Sequence, residues 1–98
     1  MYARIIHVSL QAGAIAGATD YFQNSVGPAL KDQAGFLNSR FLVNADTNKC
    51  LMVTLWASPD ARTEAESNGF LQDVLKNMKQ YFDGPPAIDY YDVAVQIV

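Results

Sequence analysis

The order in which two hydrophobic periods alternate along the chain limits its fold more than any other feature. Tyr2 to Leu10 is rich in β-branched residues and is followed by Gly13, so it predicts a strand with Ile6, Val8 and Leu10 on one face and Ile5, His7 and Ser9 on the other. From Ala14 to about Asp32, Ile15, Ala18, Phe22, Val26 and Leu30 recur at three or four residues, the spacing of an amphipathic helix. Gly27-Pro28 interrupts that stripe. Proline lacks a backbone donor and crowds the preceding turn, which predicts a kink or a tightened last turn before Gly35 ends the element. Phe36 to Asn44 and Leu51 to Trp56 return to period two around the turn residues Asp46-Thr47-Asn48-Lys49, as a hairpin does. Ser58-Pro59-Asp60 opens a helix with a hydroxyl cap, a proline at the first helical position and an acid in the first turn. Asn68-Gly69 breaks it. Phe70, Leu71, Val74, Leu75, Met78 and Phe82 then form a broad apolar stripe that stops at Asp83-Gly84-Pro85-Pro86, and Ala87 to Val98 alternates as a final strand.

This β-α-β-β-α-β order predicts an α+β chain of the ferredoxin-like, split βαβ kind: a four-stranded antiparallel sheet with both helices on one face. A chain of 98 residues builds one core, so residues 1–98 are expected to be a single domain. Two helices cover one face, yet the strands are apolar on both. Leu51, Val53 and Leu55 oppose Met52 and Trp56; Leu37, Phe41 and Val43 oppose Phe36 and Leu42. A monomer would leave a large apolar patch wet, so a homodimer stacked through Leu37, Phe41, Leu51, Val53 and Leu55 is expected.

Seven Lys and Arg against ten Asp and Glu give a net charge of -3, and the basic residues are scattered, which argues against a nucleic-acid partner. One cysteine, Cys50, cannot form an internal disulfide or a thiolate metal cluster. The N-terminal residues lack the pattern of a secretion signal, and the run of small residues from Ala12 to Ala18 is far short of the roughly 20 that a membrane helix needs. A soluble, cytoplasmic protein with no membrane partner is expected. Phosphate-binding glycine loops, HExxH, CxxC and GxSxG are all missing, so no metal and no bound cofactor is expected.

Chemistry must then rest on isolated side chains. His7 could be a general base or a hydrogen-bonded structural group. Asp89 and Asp92 flank Tyr90-Tyr91 on opposite strand faces and read as rim charges. Trp56 could stack on an aromatic ligand or simply pack the core. Asn38 and Arg40 share a strand face with Phe36 and Leu42 by simple alternation, so Arg40 either holds an anionic oxygen or snorkels from the sheet edge to water.

The stretch Leu55-Trp56-Ala57-Ser58-Pro59-Asp60-Ala61, then Asn68-Gly69-Phe70 and Asp83-Gly84-Pro85-Pro86, resembles the antibiotic-biosynthesis monooxygenase family of dimeric α+β barrels. His7-Val8-Ser9-Leu10-Gln11-Ala12-Gly13 and Gly35-Phe36-Leu37 fall where that family has its first strand and the start of its second. The resemblance implies a homodimer whose two sheets form a barrel, with a ligand cavity between sheet and helices in each subunit. It also implies that Trp56 faces the helices. The family includes cofactor-free oxygenases of dihydroxyaromatic and quinol substrates, haem-degrading enzymes and members without known activity. The haem branch carries Asn, Trp and His where this chain has Ile6, Ala65 and Val74. The polyketide oxygenases share Trp56, but their Asn, Tyr, Arg and His positions hold Met52, Arg62, Asp73 and Leu42.

Two functions follow as expectations. One is a cofactor-independent monooxygenase of a small aromatic or quinol-type substrate, bound by Trp56, Arg40, Asn38, Met52, Leu42 and Ile6. The other is a non-catalytic dimeric barrel that binds a small apolar or aromatic molecule. An isomerase or lyase would have to enlist Arg62, Asp73 and Asn38.

Overall fold

Two central strands, β1 (Tyr2–Ser9) and β3 (Lys49–Trp56), are flanked by β2 (Phe36–Asn44) and β4 (Ala87–Asp92) in an antiparallel sheet of order β2-β3-β1-β4. They belong to a computed structural model that describes residues 1–98. The period-two pattern decides the faces: Arg4, Ile6, Val8, Cys50, Met52, Thr54 and Trp56 are buried under the helices, while Ile5, His7, Leu51, Val53 and Leu55 are half-buried on the outer face. The architecture is the expected α+β ferredoxin-like one.

The helical layer is more segmented than the hydrophobic stripes suggest. α1 (Ile15–Tyr21) runs into a π-helical turn, Phe22–Val26, before α2 (Gly27–Lys31). The predicted disturbance at Gly27-Pro28 is therefore a widened turn, not a tightened one. Pro28 offers no N–H, and its ring would crowd the carbonyl four residues back; one extra residue in the turn relieves that clash. The N–H of Gly27 donates to the carbonyl of Phe22, five residues back. α3 (Pro59–Ser67) begins as expected, with Ser58 Oγ accepting from the Ala61 N–H at 3.0 Å. Gly69, at φ +88°, separates it from α4 (Phe70–Met78), which closes with one 3-10 turn.

Two strand expectations need correction. Simple alternation fails in β2, where a bulge lies between Phe36, opposite Trp56, and Asn38, opposite Leu55. The extra residue reverses the facing of everything after it. Ser39 and Phe41 thus point toward the helices, Phe41 stacking on Phe22 at 4.9 Å, while Asn38, Arg40 and Leu42 turn to the outer face. Phe41 is consequently absent from the expected dimer face, and Leu42 replaces it. The last strand also stops early. Asp92 lies opposite Tyr2, where β1 begins, so beyond the single bond from Val93 N–H to Met1 O the ladder has no partner. Val95, Ile97 and Val98 are exposed.

One apolar cluster of 14 buried residues fills the space between sheet and helices, with Trp56, Met78 and Ala18 fully enclosed. The cover is close where β2 starts. Gly35 has φ +76°, and a Cβ built there would lie 2.4 Å from the Cβ of Ala61 on α3.

Candidate functional site between sheet and helices

Alternation along β1 carries an arginine into this core. Arg4 shares a face with Ile6 and Val8, and only 1% of its surface is accessible. Such a cation is costly to bury unless partners surround it. Its guanidinium donates to the Arg62 carbonyl at 3.3 Å, lies 3.6 Å from Glu66 Oε2, and sits 5.3 Å from the centre of the Trp56 ring. Burial pulls its pKa below the ordinary value, and Glu66 and Tyr90 oppose that pull. One nitrogen, Nε, is buried and has no hydrogen-bond partner.

The groups around Arg4 form a connected set. Trp56 Nε1 donates to Thr54 Oγ1 at 3.1 Å, and Thr54 Oγ1 donates to the Arg4 carbonyl at 3.4 Å. The Tyr90 hydroxyl donates to Glu66. Burial first, and then that bond to a carboxylate, push the Tyr90 phenol above its usual range. Arg62 covers the Tyr90 ring at 5.1 Å and donates to the Ala3 carbonyl.

Arg4 and Thr54 are the polar members of a small void completed by Ile6, Phe22, Val26, Leu30, Met52, Phe70, Leu71 and Val74. Its volume is about 20 Å³, room for a water molecule and no more. A surface groove of about 320 Å³ runs beside it between the π turn, α2 and the bulged start of β2. Phe22 and Leu30 line both. A wider groove of about 870 Å³ lies elsewhere, between α4 and the Gly84-Pro85-Pro86 loop, and carries Lys76 and Lys79.

The six expected site residues are divided between two faces. Ile6 and Met52 line the void; Trp56 does not, but its ring packs on Arg4, which does. Arg40 and Leu42 are on the outer face because of the β2 bulge, so Arg40 cannot hold an anion in this cavity. Asn38 is also turned outward, but it lines the mouth of the neighbouring groove. His7 is on the outer face as well, its Nε2 2.9 Å from Asp89 Oδ2. The residue that sequence reasoning passed over is Arg4; its signal was a cation in register with Ile6, Val8 and Leu10.

Neither a protein-family model nor a curated protein sequence matches the chain. Solved structures do. A monooxygenase from the gene ActVA-Orf6 of Streptomyces coelicolor, in complex with Nanaomycin D, superposes with a TM-score of 0.83 at 13% identity, over 99% of this chain and 90% of that one. The fold is that of the antibiotic-biosynthesis monooxygenases. SnoaB, a cofactor-independent oxygenase from Streptomyces nogalater, gives a TM-score of 0.78 at 14% identity, over 98% and 95% of the two chains. MhuD with two manganese protoporphyrin IX molecules per active site gives 0.77 at 21% identity, over 100% and 99%.

This chain's residues do not fit a porphyrin. Ile6, Ala65 and Val74 offer no axial donor, no three His, Cys, Asp or Glu side chains converge on one point, and His7 is on the other side of the sheet. No helix is long and apolar enough to cross a membrane.

Proposed function

We propose that the chain is a cofactor-independent monooxygenase of a small, electron-rich aromatic or quinol-type substrate, working at the cavity between sheet and helices. The observation that carries this reading is Arg4: a buried guanidinium whose Nε–H has no partner, on the wall of a pocket whose only other polar side chain is Thr54. Such a donor stabilises a phenolate much more than it stabilises the neutral phenol, because the surroundings are dry. Ionisation is the step that matters, since a phenolate gives an electron to oxygen far more readily than a phenol does.

The chemistry balances without a helper. For a naphthol, the ring carbon para to the hydroxyl bonds one atom of dioxygen, and both oxygens on the product become carbonyls. The C–H and O–H hydrogens leave with the second oxygen as water; the substrate loses four electrons and dioxygen accepts them. Arg4 holds the phenolate oxygen, Thr54 is the other polar wall group, Ile6, Met52 and Leu71 keep water from the reduced-oxygen intermediate, and Trp56 backs Arg4. Glu66, partly open to solvent and in contact with Arg4, is the carboxylate assigned to receive the phenol proton.

We further propose that the chain acts as a cytoplasmic homodimer. Leu51, Val53, Leu55 and Ile5 form the middle of the outer face, with Leu37 and Leu42 toward the β2 edge. Leu37 and Leu42 are each 45% exposed, and a second copy would cover the patch. Ligand-pocket chemistry and dimerisation are then on opposite faces of one sheet.

A second reading is a non-catalytic barrel that binds a small aromatic molecule; it is favoured by the lack of any histidine or carboxylate on the void wall. Oxygen uptake by metal-free protein with 1-naphthol separates the two. Uptake that disappears in Arg4→Met supports the enzyme; calorimetric binding without uptake leaves the binding module.

A further inference from the structure

We infer that the groove beside β2 and the void beneath it are two halves of one ligand site, and that the Phe22 ring is the gate between them and sets the size of ligand admitted. The inference rests on the proposed site at Arg4. A void of about 20 Å³ admits no aromatic ring, so some wall must move before a ligand can reach Arg4.

The walls differ in freedom. Arg4, Ile6, Met52 and Thr54 are on β1 and β3, the two central strands, each hydrogen-bonded on both sides. Phe70, Leu71 and Val74 belong to a regular helix. Phe22 and Val26 are on the π turn, where the regular i→i+4 hydrogen-bond ladder is interrupted and which is a feature enriched at functional sites. Phe22 is also the residue, with Leu30, that faces groove and void together. Rotation of its ring toward the groove joins the two spaces without disturbing the sheet.

The vacated position suits the ligand class. The Phe22 ring stacks on Phe41 at 4.9 Å, so a flat aromatic ligand can take its place against Phe41 in a similar offset arrangement. The hydroxyl end then points inward to Arg4. At the mouth, Lys31, Asn38 and Gln23 offer polar contacts to the outer end of the molecule. A groove of about 320 Å³ is at the small end for ligand sites, which selects one or two fused rings.

The test uses the full chain, with 1-naphthol as probe and tryptophan emission plus calorimetry as readouts. Binding that waits on a ring movement associates slowly; Phe22→Ala should raise the association rate constant by about tenfold or more, and Phe22→Trp should lower it. Phe22→Ala should also bind 1-anthrol, a three-ring probe that the parent chain excludes. Phe22→Leu, closer in size, serves as a second variant if Phe22→Ala does not melt cooperatively. Unchanged association rates in folded variants overturn the gate, and so does failure of 1-naphthol to bind either protein. Oxygen uptake is read in parallel. Faster binding without uptake keeps the gate and sinks the monooxygenase reading; uptake by the parent chain with unaltered binding rates in the variants does the reverse.

Discussion

The guanidinium carbon of Arg4 lies 5.3 Å from the centre of the Trp56 ring, and the same cation is 3.6 Å from Glu66. The ring's electron-rich face and the carboxylate replace part of the water that Arg4 loses on burial. Removing Arg4 leaves Glu66 without its cation, but the Glu66 side chain is 25% exposed and still accepts from the Tyr90 hydroxyl. Arg4→Met, which fills similar volume but removes only one partner of the pair, is therefore expected to cost about 2 kcal/mol, less than the full penalty of breaking a buried pair because Glu66 stays partly hydrated. Arg4→Ala, which adds a cavity, should cost about 3 kcal/mol. The functional effect runs the other way in size. Naphthol bound to the parent chain should show the absorbance of its phenolate near neutral pH, and naphthol bound to Arg4→Met should not. Denaturant melts and difference spectra check the two halves.

On the other side of the sheet, Val53 lies between Arg40 of β2 and Ile5 of β1, at the middle of the apolar outer face. A carboxylate there stays hydrated beside Arg40 in a monomer, but a sheet-to-sheet dimer would take it out of water in the middle of an apolar interface, and the desolvation would outweigh the pairing with Arg40. Val53→Asp should thus give a folded monomer with a normal far-ultraviolet spectrum. Sedimentation of the parent chain as a monomer at micromolar concentration would refute the dimer.

A third expectation concerns Gly35 and Ala61. A methyl group on Gly35 meets the Ala61 Cβ at 2.4 Å, and the backbone there is in the left-handed region at φ +76°. Both effects oppose Gly35→Ala, by about 1 kcal/mol for the backbone and about 1–3 kcal/mol for the overlap. Ala61→Gly costs up to about 1 kcal/mol of helix stability on its own but relieves the overlap, so the double variant should be less destabilised in urea unfolding than the sum of the two single variants. Strict additivity of the two losses would mean that the contact is absent in solution.

How much of this was legible depends on whether the deciding force was local. Ser58-Pro59-Asp60 carries its own cap, and the α3 start follows from three residues. Trp56 and Met52 took the helix face because uninterrupted alternation in β3 is faithful to the pleat. The β2 bulge has no comparable local mark: Phe36-Leu37-Asn38 alternates as well without an extra residue, and only pairing with Trp56 and Leu55 reveals it. That single residue moved Arg40 from the cavity to the opposite face. Arg4 was readable by the same alternation that placed Ile6 and Val8, but a charged side chain in a core needs long-range partners, and Glu66 and Trp56 are more than fifty residues away. The π turn likewise was visible at Pro28 only as a disturbance, whose widened form depends on how Phe22 and Val26 pack against the sheet.

The last expectation is a pH dependence that involves neither the cavity nor the dimer face. Cys50, at the start of β3, is buried between Val8 and Val43 across the strands, and burial pushes its thiol up from 9.0 to about 11. A raised pKa in the folded chain means that the folded state binds the thiol proton more tightly than the unfolded one. The contribution to stability is therefore fully present below pH 9 and is lost as pH rises through about 11, because unfolding lets the thiol ionise in water. Tyr90, whose phenol is also raised, adds a slope of the same sign at higher pH. Between pH 8 and pH 11 the parent chain should lose on the order of 2 kcal/mol more stability than Cys50→Ala, which keeps the Tyr90 slope and lacks the thiol. Urea melts of both proteins across that range measure the difference directly. Parallel curves would show that Cys50 ionises as freely in the folded chain as in the unfolded one, and that the start of β3 is open to water.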